Sequence, residues 1–113
     1  MASPADSAID HLEAHRATYL EDLKALVRIP SVAFAGFPEA EVRRSAQAVA
    51  ELLRARGLSN VQQLTVDGAP PYVYGEWLGA KGKPTLLLYA HVFSVHPISI
   101  APYQALSLSP GYA

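Results

Sequence analysis

The run from Pro84 to His91 constrains the fold of this chain more than any other stretch. It reads Pro-Thr-Leu-Leu-Leu-Tyr-Ala-His, so residues 85–90 are almost wholly apolar and do not alternate with polar side chains. A short apolar run of this kind is typical of a central strand that is covered on both faces. A buried helical segment is the alternative, but Pro84 and the Gly82-Lys83 turn before it favour a strand. His91 then lies at the carboxyl end of a strand, where ligands gather in open α/β sheets.

The composition is that of a globular chain with one domain. It has 113 residues and a formal charge of −1, which gives no electrostatic reason to expect nucleic acid or a membrane surface as a partner. The absence of cysteine excludes disulfides and thiolate metal sites, and fits a cytoplasmic location. We find neither a signal-peptide pattern at the amino terminus nor an apolar run long enough to span a bilayer.

The charged residues are distributed unevenly along the chain. Every Asp, Glu, Lys and Arg lies at or before Lys83, and residues 84–113 contain none. A buried strand explains only the first part of that gap. Beyond it, Pro97, Pro102 and Pro110 are too closely spaced for a long helix. We therefore predict a folded unit over residues 1–91 and an irregular, poorly ordered tail over residues 92–113.

Two amphipathic helices are predicted before the strands. The first covers Ser3 to Val27, and the second covers about Pro38 to Arg56, with Gly57 as its left-handed terminator. The apolar stripe of the first helix consists of Ile9, Leu12, Leu20, Leu23 and Val27. The stripe of the second consists of Val42, Ala46, Val49 and Leu53.

Two further strands are predicted between the second helix and the apolar run. They cover Asn60 to Val66 and Tyr72 to Leu78, and a turn separates them. Gly75 indicates a bulge or a close backbone approach. Together with the strand at Thr85, this order predicts an α/β fold in which two helices pack on a small mixed sheet.

Two stretches of this sequence resemble a known enzyme family. Arg28-Ile29-Pro30-Ser31-Val32 and Pro84 to His91 are similar to segments of the co-catalytic zinc peptidases, which include aminoacylases, succinyl-diaminopimelate desuccinylase and carnosinase-type dipeptidases. Members open with an amphipathic helix and an Ile-Pro-Ser connector, and an apolar strand later ends in His-X-Asp-X-X-Pro. Residues 70–77 look most like the dipeptidase branch. The resemblance covers roughly Leu12 to His91.

The resemblance implies a partial zinc-peptidase catalytic domain in which His91 is a zinc ligand. The full-length family hydrolyses peptide or amide bonds of small peptide substrates with a metal-activated water. This sequence departs from the pattern, since Phe93 stands where the family has an orienting aspartate, and Pro97 comes one residue late. His96 could add a second donor, but one or two histidines do not make a catalytic zinc site. We expect no hydrolysis by this chain alone.

Two hypotheses of different classes follow. In the first, the chain is the opening part of a zinc dipeptidase, cut short or read out of frame just after His91. In the second, it is a non-catalytic α/β protein that associates through an exposed sheet edge or through its apolar tail.

Other residue clusters admit a chemical or a structural interpretation. His11 and His15 share a helix face and could chelate a metal, although a solvated flank explains them better. A charged outer helix face explains the arginines of the second helix better than a basic binding patch. The aromatic residues Tyr72, Tyr74 and Trp77 could form a binding platform, but strand packing is the expected role.

Overall fold

The computed structural model describes residues 3–92. Helix α1 (Pro4–Val27) and helix α2 (Glu39–Ala55) precede strands β1 (Ser59–Leu64) and β2 (Tyr72–Glu76), which pair as an antiparallel hairpin. Both helices lie within two residues of their predicted bounds. No helix in this part of the chain is both long and apolar enough to cross a bilayer.

Local side-chain chemistry explains where the helices begin and end. At the start of α1, the backbone N–H of Asp6 donates to Ser3 Oγ, and the N–H of Ser3 donates to the Asp6 carboxylate, which forms a capping box. The hydrogen bond from the Ser3 N–H to the carboxylate, and after it hydrogen bonding by the Ser3 side chain, lower the pKa of Asp6. At the end of α2, Gly57 adopts a left-handed φ of 84°. The N–H groups of Gly57 and Leu58 donate to Arg54 and Leu53, so the helix ends in a Schellman motif.

The core lies between α2 and the hairpin. Helix α2 packs against both strands, and α1 lies along the other side of α2. The fully buried apolar residues are few and mostly small: Val32, Val42, Ala46 and Ala50. The predicted stripe of α2 is partly confirmed, because Val42 and Ala46 are buried whereas Val49 and Leu53 are half-buried. The small side chains of Ser45 and Ala50 are buried instead.

The prediction of a close approach at Gly75 is confirmed. A Cβ atom at this position would lie 3.2 Å from Leu53 Cδ1, 3.2 Å from Leu58 Cδ2 and 3.3 Å from Val61 Cγ2. Gly75 therefore lets the side chains of α2 and β1 rest directly on the backbone of β2.

The prediction of a third strand is wrong for the described chain. Residues 85–90 have no strand structure, and Leu86, Leu87, Leu88 and Tyr89 are 77–85% exposed. The observed sheet is consequently a two-stranded antiparallel hairpin, not a mixed sheet. A central strand needs a hydrogen-bonded neighbour on each side, and here β1 and β2 pair only with each other. The poorly ordered tail is predicted for residues 92–113, and residues 93–113 lie outside the part of the chain that the structure describes.

Helix α1 forms as predicted, but its apolar stripe is not covered. Every residue from Ser3 to Thr18 is exposed, and none of the helix is fully buried. Only Tyr19, Asp22 and Leu26 are half-buried. The amino-terminal half of α1 therefore projects from the rest of the described fold.

Candidate metal ligand and its surroundings

His91 lies at the end of the exposed apolar run and is itself exposed. Its ring makes a T-shaped contact with the Tyr89 ring, with 5.3 Å between ring centroids and 73° between the ring planes. The Tyr89 hydroxyl lies 3.4 Å from His91 Nε2, which is long for a hydrogen bond. Within residues 3–92, neither nitrogen of this imidazole has a short hydrogen bond that would fix its orientation for a metal.

The described residues do not complete a zinc site around His91. A structural or catalytic zinc requires three or four donors from His, Cys, Asp or Glu. Among residues 3–92, no three such side chains converge closely enough to hold a metal ion. The second candidate donor, His96, lies outside the described residues. One imidazole supplies one donor, so no catalytic step through zinc can be derived from these residues.

Comparisons with protein-family models, curated proteins and solved structures give no match. The function of this chain must therefore be argued from its own residues.

The structure brings His11 and His15 together on α1. Their rings stack with centroids 4.2 Å apart. His15 Nδ1 lies 2.8 Å from the carbonyl oxygen of His11 and must donate to it, while His11 Nε2 lies 3.0 Å from the Tyr19 hydroxyl. Asp22, further along the same helix, pairs with Arg56. The two histidines thus form an exposed stack of aromatic rings in which two ring nitrogens are already hydrogen-bonded.

Sequence reasoning missed the link between the two helices. The guanidinium of Arg56, just after α2, pairs with the Asp22 carboxylate and lies 5.1 Å from the centroid of the Tyr19 ring. The charge pattern of the sequence predicts that Arg56 lies on a solvent-exposed outer face of α2. No signal in the sequence could have found this contact, because 34 residues separate Asp22 from Arg56. For the other arginines of α2, Arg43 and Arg44 pair with glutamates of the same helix, as the interleaved charges predicted.

Loss of this link should loosen α1. We expect Arg56→Met to lower the free energy of unfolding by about 1 kcal/mol, because it removes a half-exposed ion pair and a cation–π contact together. Urea unfolding followed by far-UV circular dichroism measures the change. The matched control is Arg16→Met, which removes the fully exposed Arg16–Glu13 pair and should cost less than about 0.5 kcal/mol. Equal losses in the two variants would contradict the assigned link.

A groove of about 460 Å³ lies between the two helices, and Asp22 is one of its lining residues. Leu26, Ile29 and Leu52 supply its apolar walls, while Asp22, Arg44 and Glu51 supply charges of both signs. Cysteine, serine and histidine are all absent from the walls of the groove. The groove can therefore accommodate a side chain or a small polar molecule, but its walls carry no hydroxyl, thiol or imidazole group.

The aromatic residues of the hairpin are more exposed than strand packing requires. Tyr72 is 54% and Trp77 68% exposed, so the expected packing role does not account for either side chain. Tyr74 donates a hydrogen bond of 2.6 Å to Glu76 Oε2, and this bond raises the pKa of Tyr74. The Trp77 ring lies so close to Gly79 that a Cβ atom there would come within 2.7 Å of it.

Proposed function

We propose that this chain carries the amino-terminal portion of a zinc-dependent peptidase domain of the dipeptidase type. In such a domain a metal-activated water attacks the peptide or amide bond of a small substrate, and His91 would be one of the metal ligands. The chain itself supplies too few ligands for this chemistry. We therefore expect it to be inactive when it is alone.

The observation that carries this proposal is the state of the apolar run before His91. Three leucines and a tyrosine are exposed in a segment without regular secondary structure, although their composition is that of a buried central strand. A strand of this type requires further strands beside it and helices over it. The later segments of a peptidase domain would provide both, and would also provide the missing carboxylate ligands.

The order of the elements supports the same proposal. Helix α1 leads through the Ile29-Pro30-Ser31 connector into α2, the hairpin follows, and the apolar run with its terminal histidine comes last. Ser31 and Val32 are buried where the connector meets the core. The connector is thus an anchored part of the fold, which agrees with the place that the resemblance gives it.

Sequencing of the coding DNA through codon 91 and beyond tests the proposal. We expect another reading frame to restore His-X-Asp-X-X-Pro at this point, followed by further Asp, Glu and His codons. The loss of all charge after Lys83 and the displaced Pro97 motivate this expectation. The alternative frames of codons 28–83 serve as the control and should contain no such pattern. If no frame continues the pattern after codon 91, the proposal fails.

The second candidate is a non-catalytic interaction protein, and the exposed apolar surface favours it. Unpaired apolar segments and open strand edges promote association between proteins. A protein built for binding should purify as one defined species. A sharp gel-filtration peak and cooperative melting would therefore favour this function over the peptidase proposal, whereas aggregation would favour a severed domain.

A further inference from the structure

We infer that His11 and His15 together bind one divalent transition-metal ion, with copper(II) as the preferred metal. The two residues are four positions apart on helix α1, so they lie on the same face of the helix, one turn from each other. Two histidines at this spacing are the arrangement by which a single helix supplies two ligands to one metal ion. The site is separate from His91 and does not depend on the peptidase proposal.

The hydrogen bonds of the two rings leave one nitrogen of each imidazole for a metal. His15 Nδ1 donates to the carbonyl oxygen of His11 at 2.8 Å, so the lone pair of the neutral His15 ring is on Nε2. His11 Nε2 lies 3.0 Å from the Tyr19 hydroxyl, and when it donates to that oxygen the lone pair of His11 is on Nδ1. Within residues 3–92, neither of these two remaining nitrogens has a hydrogen-bond partner.

This arrangement is the one that metal-binding histidines normally have. Such residues donate the N–H of their other ring nitrogen to a backbone carbonyl, a carboxylate or water, and this bond fixes the tautomer and the orientation of the ring. The His11 carbonyl serves His15 in this way, and the Tyr19 hydroxyl serves His11. The sequence alone favours a solvated flank for the two histidines, whereas these hydrogen bonds favour a metal site.

The two rings are close enough to share an ion. Their centroids lie 4.2 Å apart, and 26° separates the ring planes. Imidazole nitrogens bind a metal at about 2 Å, so two of them on one ion lie within about 4 Å of each other. Because both side chains are exposed, each ring can turn toward a shared ion while the backbone of α1 stays helical.

The charge around the pair favours a cation. Apart from the histidines, residues 4–16 include three carboxylates and a single basic side chain, that of Arg16, which is itself ion-paired. Arg56 lies against the Tyr19 ring, and the Asp22 carboxylate balances its charge. A divalent ion at the pair therefore meets a surface that is acidic on balance.

Two nitrogen donors favour copper(II) over zinc. A protein zinc site needs three or four donors, and among residues 3–92 no three donors of that kind converge. Copper(II) takes a tetragonal set of nitrogen and oxygen ligands, and it has the highest affinity of the first-row divalent ions for a given site. Water would complete its coordination. Nickel and zinc should bind the same pair more weakly.

Isothermal titration of the full chain with copper(II) chloride tests the inference. The wild type should bind one ion at the pair. His11→Gln and His15→Gln should each weaken this binding by about tenfold or more, because loss of a ligand costs at least as much as loss of an outer-shell partner, which costs about 10–100-fold. Glutamine is a good helix former and both positions are exposed, so the two variants should fold.

The matched control restores the number of histidines without restoring the pair. Ala40→His, added to His15→Gln, places a histidine at an exposed position of α2. We expect copper binding to remain weak in this double variant. Recovery of wild-type affinity there, or a wild type that binds copper no more tightly than His15→Gln, would overturn the inference.

Hydrogen exchange measured by mass spectrometry gives a second readout. A metal that joins His11 to His15 binds only while this turn is helical, so it should oppose local opening of the turn. With free copper(II) at about 100 times its Kd, amide exchange near the pair should slow by up to about a hundredfold in the wild type. His15→Gln should show no such change at the same copper concentration. Equal exchange of the wild type with and without copper would contradict the site.

Discussion

Replacement of Ala46 with aspartate is expected to unfold the protein. Ala46 has no solvent exposure and lies at the centre of the α2 face that packs on the hairpin. A carboxylate there would be buried without a partner, at a cost of about 3–5 kcal/mol. Because few apolar residues of the described part are buried, and most of those are small, the fold has little stability to lose.

The measurement is thermal melting followed by far-UV circular dichroism. Ala40→Asp is the matched control, since it introduces the same side chain into α2 at an exposed position. We expect Ala40→Asp to melt within a few degrees of the wild type, and Ala46→Asp to show no cooperative transition. Native-like melting of Ala46→Asp would mean that α2 does not pack on the hairpin as described.

Replacement of Gly75 with valine is expected to separate the hairpin from α2. The Cβ atom alone would lie 3.2–3.3 Å from three side-chain carbons, and the two γ-methyl groups of valine would extend further into the same space. Overpacking of this kind costs about 1–3 kcal/mol. Gly75→Ala should cost less, because small shifts of Leu53 and Leu58 can relieve its contacts.

Urea unfolding of both variants measures these costs. Ser59→Val on the neighbouring strand is the control, because it adds a β-branched side chain at an exposed position of the same hairpin. We expect Ser59→Val to retain the stability of the wild type within about 0.5 kcal/mol. If Gly75→Val were as stable as Ser59→Val, the contact between β2 and the side chains of Leu53, Leu58 and Val61 would be wrong.

The helices and the hairpin were predictable because their signals are local. Ser3 and Asp6 encode the start of α1, and Gly57 encodes the end of α2, through hydrogen bonds between residues close in sequence. Gly75 likewise marked a close approach, because glycine in a strand otherwise weakens it. The apolar stripe predicted for α2 was less accurate. It included Val49 and Leu53 because their side chains are large and apolar, whereas the small side chains of Ser45 and Ala50 are the ones that are buried.

The candidate site and the third strand were less predictable because they depend on partners distant in sequence. The apolar character of residues 85–90 is plain from the sequence, but a strand also needs neighbours, and β1 and β2 pair only with each other. The position of His91 after this run was predictable, whereas the convergence of further metal donors was not. The same reason explains the missed contact between Asp22 and Arg56, which depends on how α1 lies against α2.

The uneven anchoring of α1 implies that this helix does not open as a single unit. Its capping box holds the first turn, and the contacts of Tyr19 and Asp22 with Arg56 hold the carboxyl-terminal half. Between them, the contacts given for residues 7–18 within the described part of the chain all stay inside α1 itself, and an isolated helix of that length is marginal in water. Amide protons of that segment should therefore exchange with solvent through local fraying, at a free energy well below that of global unfolding. Those after Tyr19 should exchange more slowly. The boundary between the two rates would mark where the folded unit begins along α1.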